Sequence, residues 1–152
     1  MSTLITVDGT DATENITNMI ITSPHYKQLR VILLNGVTFG GFNVVDIRSL
    51  NSQTGLPVIA VTSKRPNLGE VQLALQNLPD SEKRWAAIRN AGDIFPFEPS
   101  NGKGTIYIES AGISNSLTNE ILQKTTTRSK IPEPLRVAHL VASGISLNTA
   151  QL

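Results

Sequence analysis

With 152 residues, 39% of them hydrophobic, the chain is long enough for one domain with a sizeable core and too short for two ordinary ones. Thirteen basic against twelve acidic residues leave a net charge of +1, so no long-range field announces a nucleic-acid partner, although a local basic patch stays open. The absence of cysteine excludes disulfides and thiolate metal sites; with no apolar run near the roughly 20 residues of a membrane span and no signal-peptide pattern, a soluble cytoplasmic protein is expected.

In chain order, residues 4–7 read as a short strand and 8–11 (DGTD) as the turn leaving it. Asp11 with Glu14 fits a capping box, and Ile16, Met19 and Ile20 then share one helical face until Pro24 stops the helix. The run Val31-Ile32-Leu33-Leu34 lacks polar alternation and reads as a strand buried on both faces, so strand, helix and strand make a right-handed βαβ unit. Asn35-Gly36 then leads to the glycine-rich turn Phe39-Gly40-Gly41-Phe42. Asn-Gly is also a hairpin signal, but little room for a second strand precedes Gly40, and strand-to-loop is the favoured reading.

A helix is expected over 42–50, ended near Gly55, followed by a short apolar strand, PVIAVT, over 57–62. That strand delivers Ser63-Lys64-Arg65-Pro66, with the proline keeping both cations in a loop. Helices over 68–78 and from about Ser81 to Gly92 come next, then a loop over 95–104 and a strand TIYIE over 105–109. Glu109 and Tyr107 share one face of that strand, Ile106 and Ile108 the other. A helix over about 116–124 precedes an extended proline-rich lead-in and a last helix whose apolar body runs from Leu135 to Ala142, with Gly144 ending it. Strands alternating with helices indicate an α/β domain with a largely parallel sheet.

If the strands run parallel, Asp8, Asp11, Asn35, Lys64 and Glu109 fall at or just beyond strand carboxyl ends and line one rim. Asp8 and Asp11 could hold a hard cation such as Mg²⁺, and Lys64 could neutralise phosphate. Plainer roles compete: Asp11 as a helix cap, Asp8 as a turn former, Glu109 on the exposed face of an edge strand, Lys64 and Arg65 as a solvated loop. His25 and His139 read as chemically idle, and no Ser-His-Asp order, P-loop or G-x-G-x-x-G supports acyl transfer or dinucleotide binding.

Four stretches carry a family resemblance: TVDGTDAT at 6–13, LLNGVTFGGFNVVDI at 33–47, TGLPVIAVTSKRP at 54–66 and IPEPLRVAHLVASGI at 131–145. Together they resemble the mostly archaeal endonuclease dU-like family, itself similar to endonuclease V. The resemblance implies one domain over 1–152 with a ribonuclease H-like three-layer α/β fold, and a Mg²⁺-dependent hydrolase that cuts DNA beside a deaminated base, a DNA-repair activity. On the matching positions, Asp8 or Asp11 takes an acidic metal-binding role and Lys64 that of a lysine at a strand end.

Three departures from the family pattern accompany this. Asn35 stands where a carboxylate is expected, Gly112 lies near the place of a histidine, and the chain starts at about the third family strand. The expectation is a family member with little or no cleavage by this chain alone, holding nucleic acid through Lys64, Arg65, Lys103 and Arg136. One alternative is an active endonuclease with a site rearranged around Asp8, Asp11, Glu109 and Asp46; another is a non-catalytic interaction module. With the first two family strands lacking, either residues 4–7 pair with 30–34 or a second subunit covers the open edge, and a homodimer or higher assembly is expected.

Overall fold

The computed structural model describes residues 1–149, with side-chain environments through residue 145. Its main sheet has the order β1-β4-β6-β5, formed by β1 (Ile32–Leu34), β4 (Val58–Thr62), β6 (Ile106–Ala111) and β5 (Phe95–Phe97), while β2 (Thr38–Phe39) and β3 (Asn43–Val44) form a separate hairpin. β1 and β4 are parallel, in register from Ile32 opposite Val58 to Leu34 opposite Ala60. β6 runs antiparallel to both β4 and β5. The sheet is therefore mixed rather than largely parallel, and Glu109, opposite Ala60, sits inside a strand instead of beyond a carboxyl end.

Helices α1 (Ala12–Ile21) and α2 (Ile47–Thr54) cover one sheet face, and α5 (Asn115–Thr125) and α6 (Glu133–Thr149) the other. The period of two along β4 builds both cores: Val58 and Ala60 pack with Ile16, Ile20, Ile47 and Leu50, whereas Ile59 and Val61 pack with Leu122 and Leu135. A third cluster seats α3 (Leu68–Leu75) and α4 (Ser81–Asn90) on the hairpin through Val44, Leu75 and Ile88. This is a three-layer α/β domain of ribonuclease H-like class.

Several local expectations are corrected. Residues 4–7 form no strand: Leu4 and Val7 are 82% and 73% exposed, and the segment is held by hydrogen bonds to Asp11, Asn15 and Asn43 rather than by a sheet. The βαβ unit is instead β1-α2-β4. The hairpin turns at Gly40 and Gly41, with φ of 50° and 85°, and not at Asn35-Gly36. That turn converts the start of the expected 42–50 helix into β3. The helix waits for Asp46, whose carboxylate accepts from the Arg48 and Ser49 N–H groups, both at 3.0 Å. Part of the 95–104 loop pairs as β5, an edge strand that tolerates Pro96. Finally, α6 runs through Gly144 to Thr149.

Candidate functional site

The parallel register of β1 and β4 brings two loops to one rim. The Gly36 N–H donates to the Val61 carbonyl at 2.9 Å, so the Asn35-Gly36 turn lies beside the exit of β4 into Lys64 and Arg65. Gly36 is needed there for its backbone, with φ at 77°. Asn35, Lys64 and Arg65 are all exposed. Lys130, which sequence reasoning passed over, donates from Nζ to the Ser63 carbonyl at 2.7 Å, adding a third cation to the same loop. Its only sequence signal is its place at the start of the proline-rich lead-in. Arg136 instead pairs with Glu133 on its own helix at 2.8 Å, and Lys103 lies in an exposed turn between Gly102 and Gly104.

Asp8 and Asp11 are both fastened to the hairpin that leaves the carboxyl end of β1. Asp8, at φ 51°, accepts from the Phe42 N–H on Oδ1 at 2.8 Å, and its own N–H donates to the Gly40 carbonyl. Asp11 precedes α1 without capping it through its side chain. Its carboxylate accepts from the Asn43 amide, from the Thr6 N–H and hydroxyl, and from Asn15. The bonds from Asn43 and Thr6 hold its carboxyl below the ordinary aspartate value. The cap falls to Asn43, whose Oδ1 accepts from the Ala12 N–H at 3.0 Å.

The residues behind this arrangement are Asn43, fully buried, and Arg84, 3% exposed. Arg84 donates to the carbonyls of Asp8, Gly9, Phe42 and Pro79, tying α4, the hairpin and the N-terminal segment together. Neither could be found from the sequence, because each is a polar residue whose partners lie far along the chain. Arg84 also lines a cavity of about 650 Å³, with Thr13, Glu14, Asp46 and Lys83; Lys64 and Arg65 do not line it.

This donor set does not fit a magnesium ion. Every Asp11 oxygen already accepts hydrogen bonds, Asp8 offers one uncommitted oxygen, and no three His, Asp or Glu side chains converge among the described residues. Asp46 is occupied as the α2 cap and also accepts from Asn90 at 3.1 Å. Glu109 stands apart from these aspartates. It is 5% exposed, not on an exposed edge, and burial pushes its carboxyl up to about 7.

A mixed sheet of this order, with a cationic loop at the paired ends of its parallel strands, defines a ribonuclease H-like α/β protein. Residues 1–146 match the family described as Endonuclease dU, and the chain belongs to that family. It is 50% identical over 149 residues to a UPF0215 protein of Methanosarcina barkeri, covering 97% of this chain and 75% of the relative. A UPF0215 protein of Methanothermobacter thermautotrophicus is 47% identical over 152 residues, covering 99% and 73%. The crystal structure of a protein of unknown function from Archaeoglobus fulgidus superposes with a TM-score of 0.84 at 36% identity, over 93% of this chain and 78% of that one. No helix among the described residues is long and apolar enough to cross a membrane.

Proposed function

We propose that this chain holds DNA at the carboxyl ends of β1 and β4 and, by itself, cleaves it little or not at all. The observation that carries the reading is the exposed Lys64-Arg65 loop, joined by Lys130, at one rim of a chain in the endonuclease dU family. Cations on a loop that a parallel strand delivers position a phosphate backbone without reading bases. A second copy of the chain is the proposed protein partner. The weak-cleavage part rests on Asn35 at the family carboxylate position and on aspartates already committed to holding the hairpin.

The test is fluorescence anisotropy with a duplex carrying one deoxyuridine. Binding is expected at low salt and to weaken steeply as salt rises. Lys64→Ala with Arg65→Ala should lower affinity about tenfold, since each lost phosphate contact removes part of that electrostatic term. No affinity at low salt defeats the proposal. In a nicking assay with added Mg²⁺, a background rate is expected; robust cutting abolished by Asp8→Ala would replace this reading with that of an active endonuclease.

A further inference from the structure

The chain contains the dipeptide Asn-Gly twice, at Asn35-Gly36 and at Asn101-Gly102. An asparagine amide followed by glycine is chemically labile, because no side chain shields the next backbone nitrogen and its φ is unrestricted. The structure treats the two pairs differently. The Asn101 amide is clamped: Nδ2 donates to the carbonyls of Thr126 and Ser129 at 3.3 and 2.8 Å, and Oδ1 accepts from the Lys103 N–H at 3.0 Å. Asn35 is exposed, and its amide makes no hydrogen bond to any described residue.

The glycine nitrogen is the nucleophile, and each is held once. The Gly36 N–H donates to the Val61 carbonyl at 2.9 Å, and the Gly102 N–H to the Pro99 carbonyl at 3.1 Å. Gly36 is buried, yet its bond lies beyond the final register pair of Leu34 with Ala60, and β1 is a three-residue strand at the edge of the sheet. A bond at such an end opens by fraying, without unfolding the sheet. One backbone bond must open at either site, so the side chains make the difference. Asn101 gives up its clamp to reach the next nitrogen, and Asn35 gives up nothing.

We propose that Asn35 is a deamidation site and that its conversion weakens the hold of the neighbouring rim on phosphate. The Gly36 nitrogen loses its proton to solvent and attacks the Asn35 Cγ; the bond from Cγ to the amide nitrogen breaks, and ammonia leaves a cyclic imide. Water then opens either carbonyl of the ring, giving aspartate or the isomer whose backbone runs through the side chain. One water enters, one ammonia departs, and nothing is oxidised or reduced. Either product sets a carboxylate beside the exit of β4 into Lys64 and Arg65, the loop that Lys130 also touches. The added charge takes the formal net charge of the chain from +1 to zero. The effect on binding rests on the DNA-holding function above; the chemistry at Asn35 does not.

The experiment ages the full chain in warm neutral buffer and follows both amides by peptide mass spectrometry with an isoaspartate assay. Asn35 should convert on the order of tenfold faster than Asn101, the rate equivalent of the net hydrogen bonding that holds Asn101. In urea the two sites should convert at like rates, because the folded contacts set the difference. An Asn35 amide that persists in the folded chain while the unfolded chain loses it, or Asn101 converting first in the folded chain, overturns the proposal. Affinity for a duplex at low salt should fall as Asn35 converts, and fresh Asn35→Asp should bind more weakly than the fresh native chain. Asn35→Gln, whose longer side chain closes the ring far more slowly, should hold its own fresh affinity through ageing. Conversion at Asn35 with unchanged affinity overturns the weakening of the rim. Absence of any DNA binding at low salt defeats the DNA-holding function and that weakening together, while the mass measurement still decides the modification.

Discussion

At the scale of single residues, the polar groups that matter most are those whose burial looks unfavourable. Glu109 titrates near 7 in the folded chain against an ordinary value of 4.5. Between these values the native state binds more protons than the unfolded one, so stability falls as pH rises through that window and is level outside it. The shift amounts to at most about 3 kcal/mol, and Glu109→Gln should remove the slope. Chemical denaturation across about pH 4 to 8 is expected to show a variant that gains on the native chain only in the upper half. Arg84 behaves oppositely, because its guanidinium satisfies four carbonyls from distant parts of the chain. Arg84→Met keeps much of the volume and leaves those acceptors bare, and a loss on the order of 3 kcal/mol is expected in a urea titration.

At the scale of elements, helix starts are decided by caps and not by apolar periodicity. α2 begins at Ile47 because Asp46 takes two backbone N–H groups, and it ends where Gly55 adopts φ 66° and closes onto the Asn51 carbonyl. Asp46→Ala should cost about 1 kcal/mol by the same titration and release the Asn90 amide as well. Gly41 is constrained twice: its φ is positive, and a Cβ there would collide with the Asp8 carboxylate. Gly41→Ala should therefore loosen the N-terminal segment from the hairpin, seen as faster protease cleavage within residues 1–11 while the sheet's circular dichroism is kept.

At the scale of the whole molecule, one sheet edge stands out. β1 pairs with β4 on one side and has no strand partner on the other among the described residues. Nearby, α6 packs on the β1 side of the sheet and leaves Val137, Leu140 and Val141 49%, 58% and 53% exposed. An open edge beside an apolar helix face favours pairing between copies. Light scattering should give a mass of twice the 16.4 kDa of one chain, and Val137→Lys with Leu140→Lys should return it toward one. A native chain that stays at the single mass removes the expectation of self-association.

The sequence by itself determined the α/β class, the strand PVIAVT and its cationic exit, the helical face of Ile16 and Ile20, and the family, because these depend on residues close together or on long ordered motifs. Only the tertiary structure decided the direction of β6, and with it the place of Glu109 inside a strand against a cavity, since antiparallel and parallel neighbours share one side-chain period. It also decided that residues 4–7 would not join the sheet and that Asp8 and Asp11 would be spent on the hairpin. Those outcomes turn on Asn43 and Arg84, whose hydrogen bonds span as many as 37 and 76 positions, and no local pattern of charge or hydropathy announces partners that far away.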